Sequence, residues 1–274
     1  MDGYSHNQMS SILIAVTNDD GIKSPGIRAA VEAVLGLGEL VVIAPSSQQT
    51  SMGRSLSAKK DDYLKMAEFE VNGEKIRAYH ADSTPAFVVM HAFHTIFHDK
   101  RPDLLISGIN YGENLGSNLT ISGTVGAAIQ AATMGVPAIA LSLQTDMAHH
   151  HHYGDVCWKM ARHFVRRVIK SVIESSFPKG VDVLNVNIPE GITEQTECRV
   201  TCQSRHPYFT TRITEPKHDS RFGDGKCVVD LDHDGLEKDS DIYAIAKDKV
   251  VSVTPLRLDM TAKDGHNKVV MVKV

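Results

Sequence analysis

The sequence predicts an α/β fold: a doubly wound, mostly parallel sheet carrying a C-terminal β-rich extension. Three observations predict it. Apolar runs of strand length alternate with helical stretches from Ile12 to Leu143. The first run, Ile12-Leu13-Ile14-Ala15-Val16, is apolar at every position, as in a strand covered on both faces. From Arg199 onward, short strand runs and turn residues replace the alternation.

Each element follows from local signals. Residues 1–10 read as a loose leader, and 11–274 as one domain with a core to about 190 and an extension over 191–274. The first strand ends near Thr17. Ser24 caps a helix that opens on Pro25 and runs to about Leu37, closed by Gly36 and Gly38. Leu40 to Ala44 is a strand stopped by Pro45, and the polar stretch Ser46 to Ser55 is a loop. Asn72-Gly73 marks a hairpin between Phe69–Val71 and Lys75–Arg77. Thr84-Pro85 opens a helix to about Phe97, Asp103 to Ser107 is a strand, and Gly108 to Gly123 reads as a Gly- and Asn-rich loop. A small-residue helix, Val125 to Met134, precedes the strand Pro137 to Leu143. His149 to His152 reads as a run of exposed side chains. An amphipathic helix covers Asp155 to Ser175 and a strand Val181 to Ile188; turns follow at Asp224-Gly225 and Asp234-Gly235.

Bulk properties narrow the function classes. A net charge of −4 over 274 residues supplies no basic field for general nucleic-acid binding, but it leaves room for one nucleotide in a local pocket. No apolar stretch reaches membrane-spanning length, and the first ten residues lack the apolar core of a secretory signal. Cys157, Cys198, Cys202 and Cys227 are scattered without zinc-ligand spacing, as reduced thiols of a cytoplasmic protein are.

The chemistry gathers in three loops that leave the carboxyl ends of strands, where open parallel sheets bind ligands. The first carries Asn18-Asp19-Asp20-Gly21. Adjacent carboxylates beyond a buried strand repel each other and lose hydration, which a hard divalent cation relieves. Gly21 supplies the turn that lets both face one ion; an Asp cap beside a solvated Asp would read the same way. The second loop offers Gln48, Gln49, Thr50 and Ser51. The third runs Gly108-Ile109-Asn110-Tyr111-Gly112-Glu113-Asn114 and leads to Ser122-Gly123-Thr124, an anion site at a helix N-terminus or a plain helix cap. The Lys of a nucleoside-triphosphate loop is absent, and the glycine spacing of a dinucleotide site does not occur. A cation beside a phosphate cradle predicts metal-assisted hydrolysis of a phosphate ester.

Thr17-Asn18-Asp19-Asp20-Gly21 with Pro25-Gly26, Val42-Ile43-Ala44-Pro45, the Gly108 to Asn114 loop, Ser122-Gly123-Thr124-Val125, Leu184-Asn185-Val186-Asn187-Ile188-Pro189 and Val251-Ser252-Val253-Thr254-Pro255-Leu256 resemble the SurE family of survival proteins, the 5′/3′-nucleotidases. The resemblance implies a Rossmann-like core, one divalent cation per subunit (Mg²⁺ or Mn²⁺), a nucleoside monophosphate substrate and homodimers or homotetramers using the C-terminal extension. It implies Asp19, Asp20 and Asn110 as metal ligands, with a hydroxyl at Thr50, or at Ser51 if the loop shifts by one residue. Asp19 and Asp20 carry the catalysis. Asn18, Gly21, Asn114, Ser122, Gly123 and Thr124 fall on the phosphate- and substrate-binding stretch. Where the family has Gly-Thr-Pro, this chain has Ser83-Thr84-Pro85. A phosphoaspartate is disfavoured, because the second carboxylate is adjacent and not two positions on. Tyr111, His206, Tyr208 and Phe209 are aromatic candidates to stack on a base. A nucleotide sensor, an interaction protein without turnover, and a phosphatase of short polyphosphate are the alternatives.

Overall fold

In the computed structural model, residues 12–262 are described except 151, 152 and 233, so the predicted leader lies outside the described residues. The described residues form thirteen strands and five α-helices. The strands are β1 (Leu13–Thr17), β2 (Glu39–Pro45), β3 (Lys65–Ala67), β4 (Glu70–Val71), β5 (Glu74–Lys75), β6 (Arg77–Ala81), β7 (Leu104–Tyr111), β8 (Ala138–Leu143), β9 (Val183–Ile188), β10 (Cys198–Val200), β11 (Phe209–Arg212), β12 (Lys226–Val229) and β13 (Val251–Leu256). The helices are α1 (Pro25–Val34), α2 (Pro85–His94), α3 (Gly123–Thr133), α4 (Lys159–Ser175) and the single turn α5 (Asp241–Tyr243).

Nine strands form one sheet in the order β10-β13-β9-β8-β7-β1-β2-β6-β3. The six central strands, from β9 to β6, are parallel. β13 runs antiparallel to β9 and parallel to β10, and β3 runs antiparallel to β6. From β1 the chain winds outward through β2 and β6 on one side and through β7, β8 and β9 on the other. The β1/β7 boundary is therefore the topological switch point.

The all-apolar β1 is explained by the two layers it joins. Ile14 and Val16 face a core shared with α1 and α4, while Leu13 and Ala15 face one shared with α2 and α3. The strand Leu184-Asn185-Val186-Asn187-Ile188 splits differently. Its Leu, Val and Ile enter the α1/α4 core, and its two Asn occupy the alternate positions. A third cluster, Leu115, Tyr208, Ile242 and Ile245, anchors the extension. Asp241 ties that region together, accepting from the Gly116, Ser204 and Ile242 amides.

Several boundaries differ from the sequence reading. β7 continues through Gly108-Ile109-Asn110-Tyr111, which composition alone assigns to a loop. A bulge between Ser107 and Asn110 absorbs the irregularity, and β8 pairs with β7 on both sides of it. β6 and β3 were not anticipated, because Arg77 to Ala81 has little apolar content; pairing with β2 makes it a strand. The hairpin at Asn72-Gly73 is present but short. α1 and α2 stop at Val34 and His94, and α4 begins at Lys159.

α1 has no basic residue in its last turn, and α4 provides one. Arg166 Nη1 donates to the carbonyls of Ala33 and Leu35 at 2.9 and 3.0 Å. Arg166→Ala is expected to cost about 2 kcal/mol in urea unfolding, the range for charge-assisted hydrogen bonds, whereas Arg167→Ala costs less than about 1 kcal/mol.

Candidate active site

A cavity of about 350 Å³ opens at the carboxyl ends of β1, β2 and β7. Asp19, Asp20, Gln48, Thr50, Ser51, Asn110, Asn114 and Ser122 all line it, together with the backbone of Tyr111 and Gly112, Glu113, Asn118, Ile121, His150, Phe209, Thr210, Thr211 and Cys227. Three loops far apart in sequence thus meet at one place, as the sheet's switch point requires.

The acidic loop turns sharply after β1. The Asn18 side chain accepts from the Gly21 amide and donates to the Gly21 carbonyl, and Gly21 adopts φ +97°. Asn18 and Gly21 therefore build the turn and do not line the cavity. The main chain of the second loop is fixed to the first, with the Gln49 amide donating to the Asp19 carbonyl at 2.7 Å.

Both carboxyls are nearly inaccessible, Asp19 at 6% and Asp20 at 2% exposure. Burial pushes both carboxyls above the ordinary range, and for Asp20 the neighbouring Asp19 charge adds to the rise. Their partners offset this only in part. Asp19 receives the Thr124 hydroxyl and backbone amide. Asp20 accepts from Gln48 Nε2 at 3.0 Å and from the Tyr111 amide at 3.4 Å. The Tyr153 hydroxyl holds the Asp20 carbonyl at 2.6 Å. All these partners are neutral, and among the described residues no Lys or Arg lines the cavity.

At the N-terminus of α3 the sequence leaves a helix cap and an anion site both open. Ser122 caps α3 by accepting from the Val125 amide, and it also lines the cavity. Thr124 is fully buried, does not line the cavity, and serves Asp19. A Cβ on Gly123 would meet Asp19 Oδ2 at 2.7 Å and Asp19 Cβ at 2.8 Å. The Asp19 carboxylate thus lies against this end of α3, and Gly123 is required for that approach.

Asn110 donates its amide protons to the carbonyls of Tyr111 and Gly112 at 3.2 and 2.7 Å. Its amide oxygen is then the atom left to serve a ligand. Asn114 is held by the two alternate asparagines of β9. Its amide donates to Asn187 Oδ1, and its carbonyl accepts from Asn185 and Asn187. Its own Nδ2 donates to Ser142 Oγ. Thr50 and Ser51 both line the cavity, so either hydroxyl is in reach of a ligand there.

This donor set fits a hard divalent cation. It offers two buried carboxylates in want of positive charge, an amide oxygen and hydroxyls, with no thiolate or imidazole cluster. Among the described residues no group of three or more His, Cys, Asp or Glu stands together, so amide or hydroxyl oxygens are needed to complete a coordination shell.

Sequence reasoning missed two contributors, His150 and Tyr153, and gave Gln48 only as one of several polar residues of its loop. Gln48 bridges Asp20 and the His150 carbonyl. Tyr153 and His150 come from the His-rich segment that composition marks as exposed. No local signal places them here, because their partners lie more than a hundred residues away.

The family model described as "Survival protein SurE" matches residues 14–210. The 5′-nucleotidase SurE of Thermococcus kodakarensis is 41% identical over 257 residues, covering 93% of this chain and 96% of that protein. The 5′-nucleotidase SurE of Methanothrix thermoacetophila is 41% identical over 258 residues, covering 91% and 94%. The crystal structure of the SurE protein from Aquifex aeolicus superposes with a TM-score of 0.71 at 30% identity, covering 94% of this chain and 98% of that one.

The buried charge of Asp20 has a measurable cost. Its carboxyl is pushed up from 3.8 to about 8, so the folded protein holds this proton more tightly than the unfolded chain between those values. Stability of the cation-free protein therefore falls as pH rises through that window. Asp20→Asn is expected to stabilise the cation-free protein by about 2–3 kcal/mol at pH 8 and by much less near pH 4, read from urea unfolding at both pH values.

Proposed function

The chain belongs to the SurE family, and from that premise we propose that it is a divalent-cation-dependent phosphomonoesterase hydrolysing nucleoside 5′-monophosphates, and 3′-monophosphates as well, to nucleoside and phosphate. One observation carries the reading: two adjacent, buried carboxylates face a cavity that, among the described residues, no Lys or Arg lines. A phosphate dianion entering that cavity meets only negative charge unless a cation accompanies it. Mg²⁺ or Mn²⁺, one per subunit, is the class of ion the oxygen donors suit.

Asp19, Asp20, the Asn110 amide oxygen and a hydroxyl of Thr50 or Ser51 would hold the ion. When bound, it neutralises phosphoryl oxygens and lowers the pKa of water beside them. The chain's own groups do the rest. Thr124 and Gly123 fix Asp19, and Gln48, the Tyr111 amide and Tyr153 fix Asp20. Neither carboxylate reorganises as charge develops. Ser122 accepts from the Val125 amide through lone pairs, leaving its hydroxyl proton to donate to a phosphoryl oxygen. Asn114, held by Asn185 and Asn187, borders the same space. A carboxylate oxygen of the pair accepts the proton of the attacking water.

The wider setting follows the same reading. We place the enzyme in the cytoplasm as a homodimer or homotetramer; its four cysteines are unpaired, and no described helix is long and apolar enough to cross a membrane. Exposed Val200 on edge strand β10 and Phe222 beyond β11 offer apolar surface for self-association. Light scattering after gel filtration measures the assembly.

A phosphate-release screen over nucleoside monophosphates tests the function. Turnover with Mg²⁺ or Mn²⁺ is expected, with complete loss on chelation, recovery on re-addition, and a fall in kcat of at least about 10²-fold for Asp20→Ala. Activity indifferent to both chelator and Asp20→Ala would reject the mechanism. Binding without release would make the chain a sensor, and a preference for tripolyphosphate would move the substrate class.

A further inference from the structure

The cavity has two kinds of lining. One is the carboxylates and Ser122; the other is the β11–β12 hairpin and His150, whose carbonyl shares the Gln48 side-chain amide with Asp20. Four aromatic side chains compete in sequence for contact with a base, and their surroundings separate them. Tyr208 is 3% exposed and belongs to the apolar cluster with Leu115, Ile242 and Ile245. The Tyr111 ring packs edge-on to Trp158 at 5.0 Å and against Tyr153 at 5.8 Å, and its backbone amide donates to Asp20. His206 does not line the cavity. Phe209 does. It meets the His150 ring edge-to-face at 5.6 Å and 87°, a wall of two aromatic side chains from distant segments.

Phe209 is also held unusually firmly for a residue opening an exposed hairpin. One side chain, Asn118, accepts from the Tyr208 and Phe209 amides at 2.7 and 2.9 Å and donates to the Phe209 carbonyl at 3.1 Å. Asn118 thereby commits three bonds to the two residues that set where the Phe209 ring lies. The β12 partner strand continues the wall with Cys227, an exposed thiol paired in register with Thr211.

From this arrangement we propose that Phe209, with His150 at its edge, is the platform on which the base of the nucleoside stacks, and that Asn118 is the positioning residue that holds it. This rests on the phosphomonoesterase reading, which puts the phosphate at the carboxylates. A cavity of about 350 Å³ lies at the small end of the range for ligand sites, enough for one nucleoside monophosphate laid from the carboxylates to this wall. Stacking reads the face of a base and not its edge, so turnover extends over all bases, with the larger purines ahead.

The test compares kcat/KM for AMP and for ribose 5-phosphate in the parent, Phe209→Ala, Phe209→Trp and Asn118→Ala. The AMP to ribose 5-phosphate ratio is expected to fall about tenfold in Phe209→Ala, through KM for AMP, to recover in Phe209→Trp, and to fall several-fold in Asn118→Ala. A second readout needs no turnover. Iodoacetamide labelling of Cys227, followed by peptide mapping, is expected to slow at least about fivefold with saturating adenosine and not with ribose, and Phe209→Ala is expected to remove the protection. An unchanged ratio in Phe209→Ala, or labelling of Cys227 indifferent to adenosine, overturns the proposal. If the parent hydrolyses neither ester, the phosphomonoesterase reading fails, and the labelling result still decides the base platform.

Discussion

Two carboxylates occupy successive positions, Asp19 and Asp20, in a part of the molecule from which water is almost excluded, and the surrounding structure is organised by that burden. They stand at the carboxyl end of β1, beside the strand-order reversal where open sheets bind ligands. Each of their partners comes from a different element: Thr124 from α3, Gln48 from the loop after β2, the Tyr111 amide from β7 and Tyr153 from the segment before α4. None of these carries charge. The protein leaves the pair undercompensated at a cost in stability, which is what the proposed cation site calls for.

The elements beyond β9 finish the cavity. β13 and β10 extend the sheet, Asp241 joins the Gly116 and Ser204 loops, and Asn118 brings β11 to the cavity rim. β9 contributes in a way its burial hides. Its apolar residues pack under α1 and α4, and its alternate asparagines reach Asn114 on the neighbouring loop. A strand with period two can serve a core and a site at once.

Much of this was legible before folding. The β1, β2, β8 and β9 runs and the Ser24-Pro25 and Ser122-Gly123 helix starts follow from apolar runs, caps and breakers acting within a few residues. The Asn18 to Gly21 turn needs only an Asn side chain and a glycine. Less local features were missed for the same reason throughout. β6 is a strand because β2 offers it a partner, and Asn110 sits in a strand because β8 pairs across a bulge. His150 and Tyr153 enter the site from a segment whose composition marks it as solvent-facing.

The sequence by itself determined the sheet's alternation of strand and helix, the acidic turn and the oxygen-rich loops, because those depend on neighbours in the chain. Tertiary contacts alone set Asp19 against the N-terminus of α3, turned Thr124 toward Asp19 and away from the cavity, and brought Phe209 rather than Tyr208 to the cavity wall. The Asp19–Thr124 contact joins residues 105 positions apart, and the choice between Tyr208 and Phe209 is made by which face a distant element covers. Hydrogen-bond geometry and burial at such separations exist only once the chain has closed on itself.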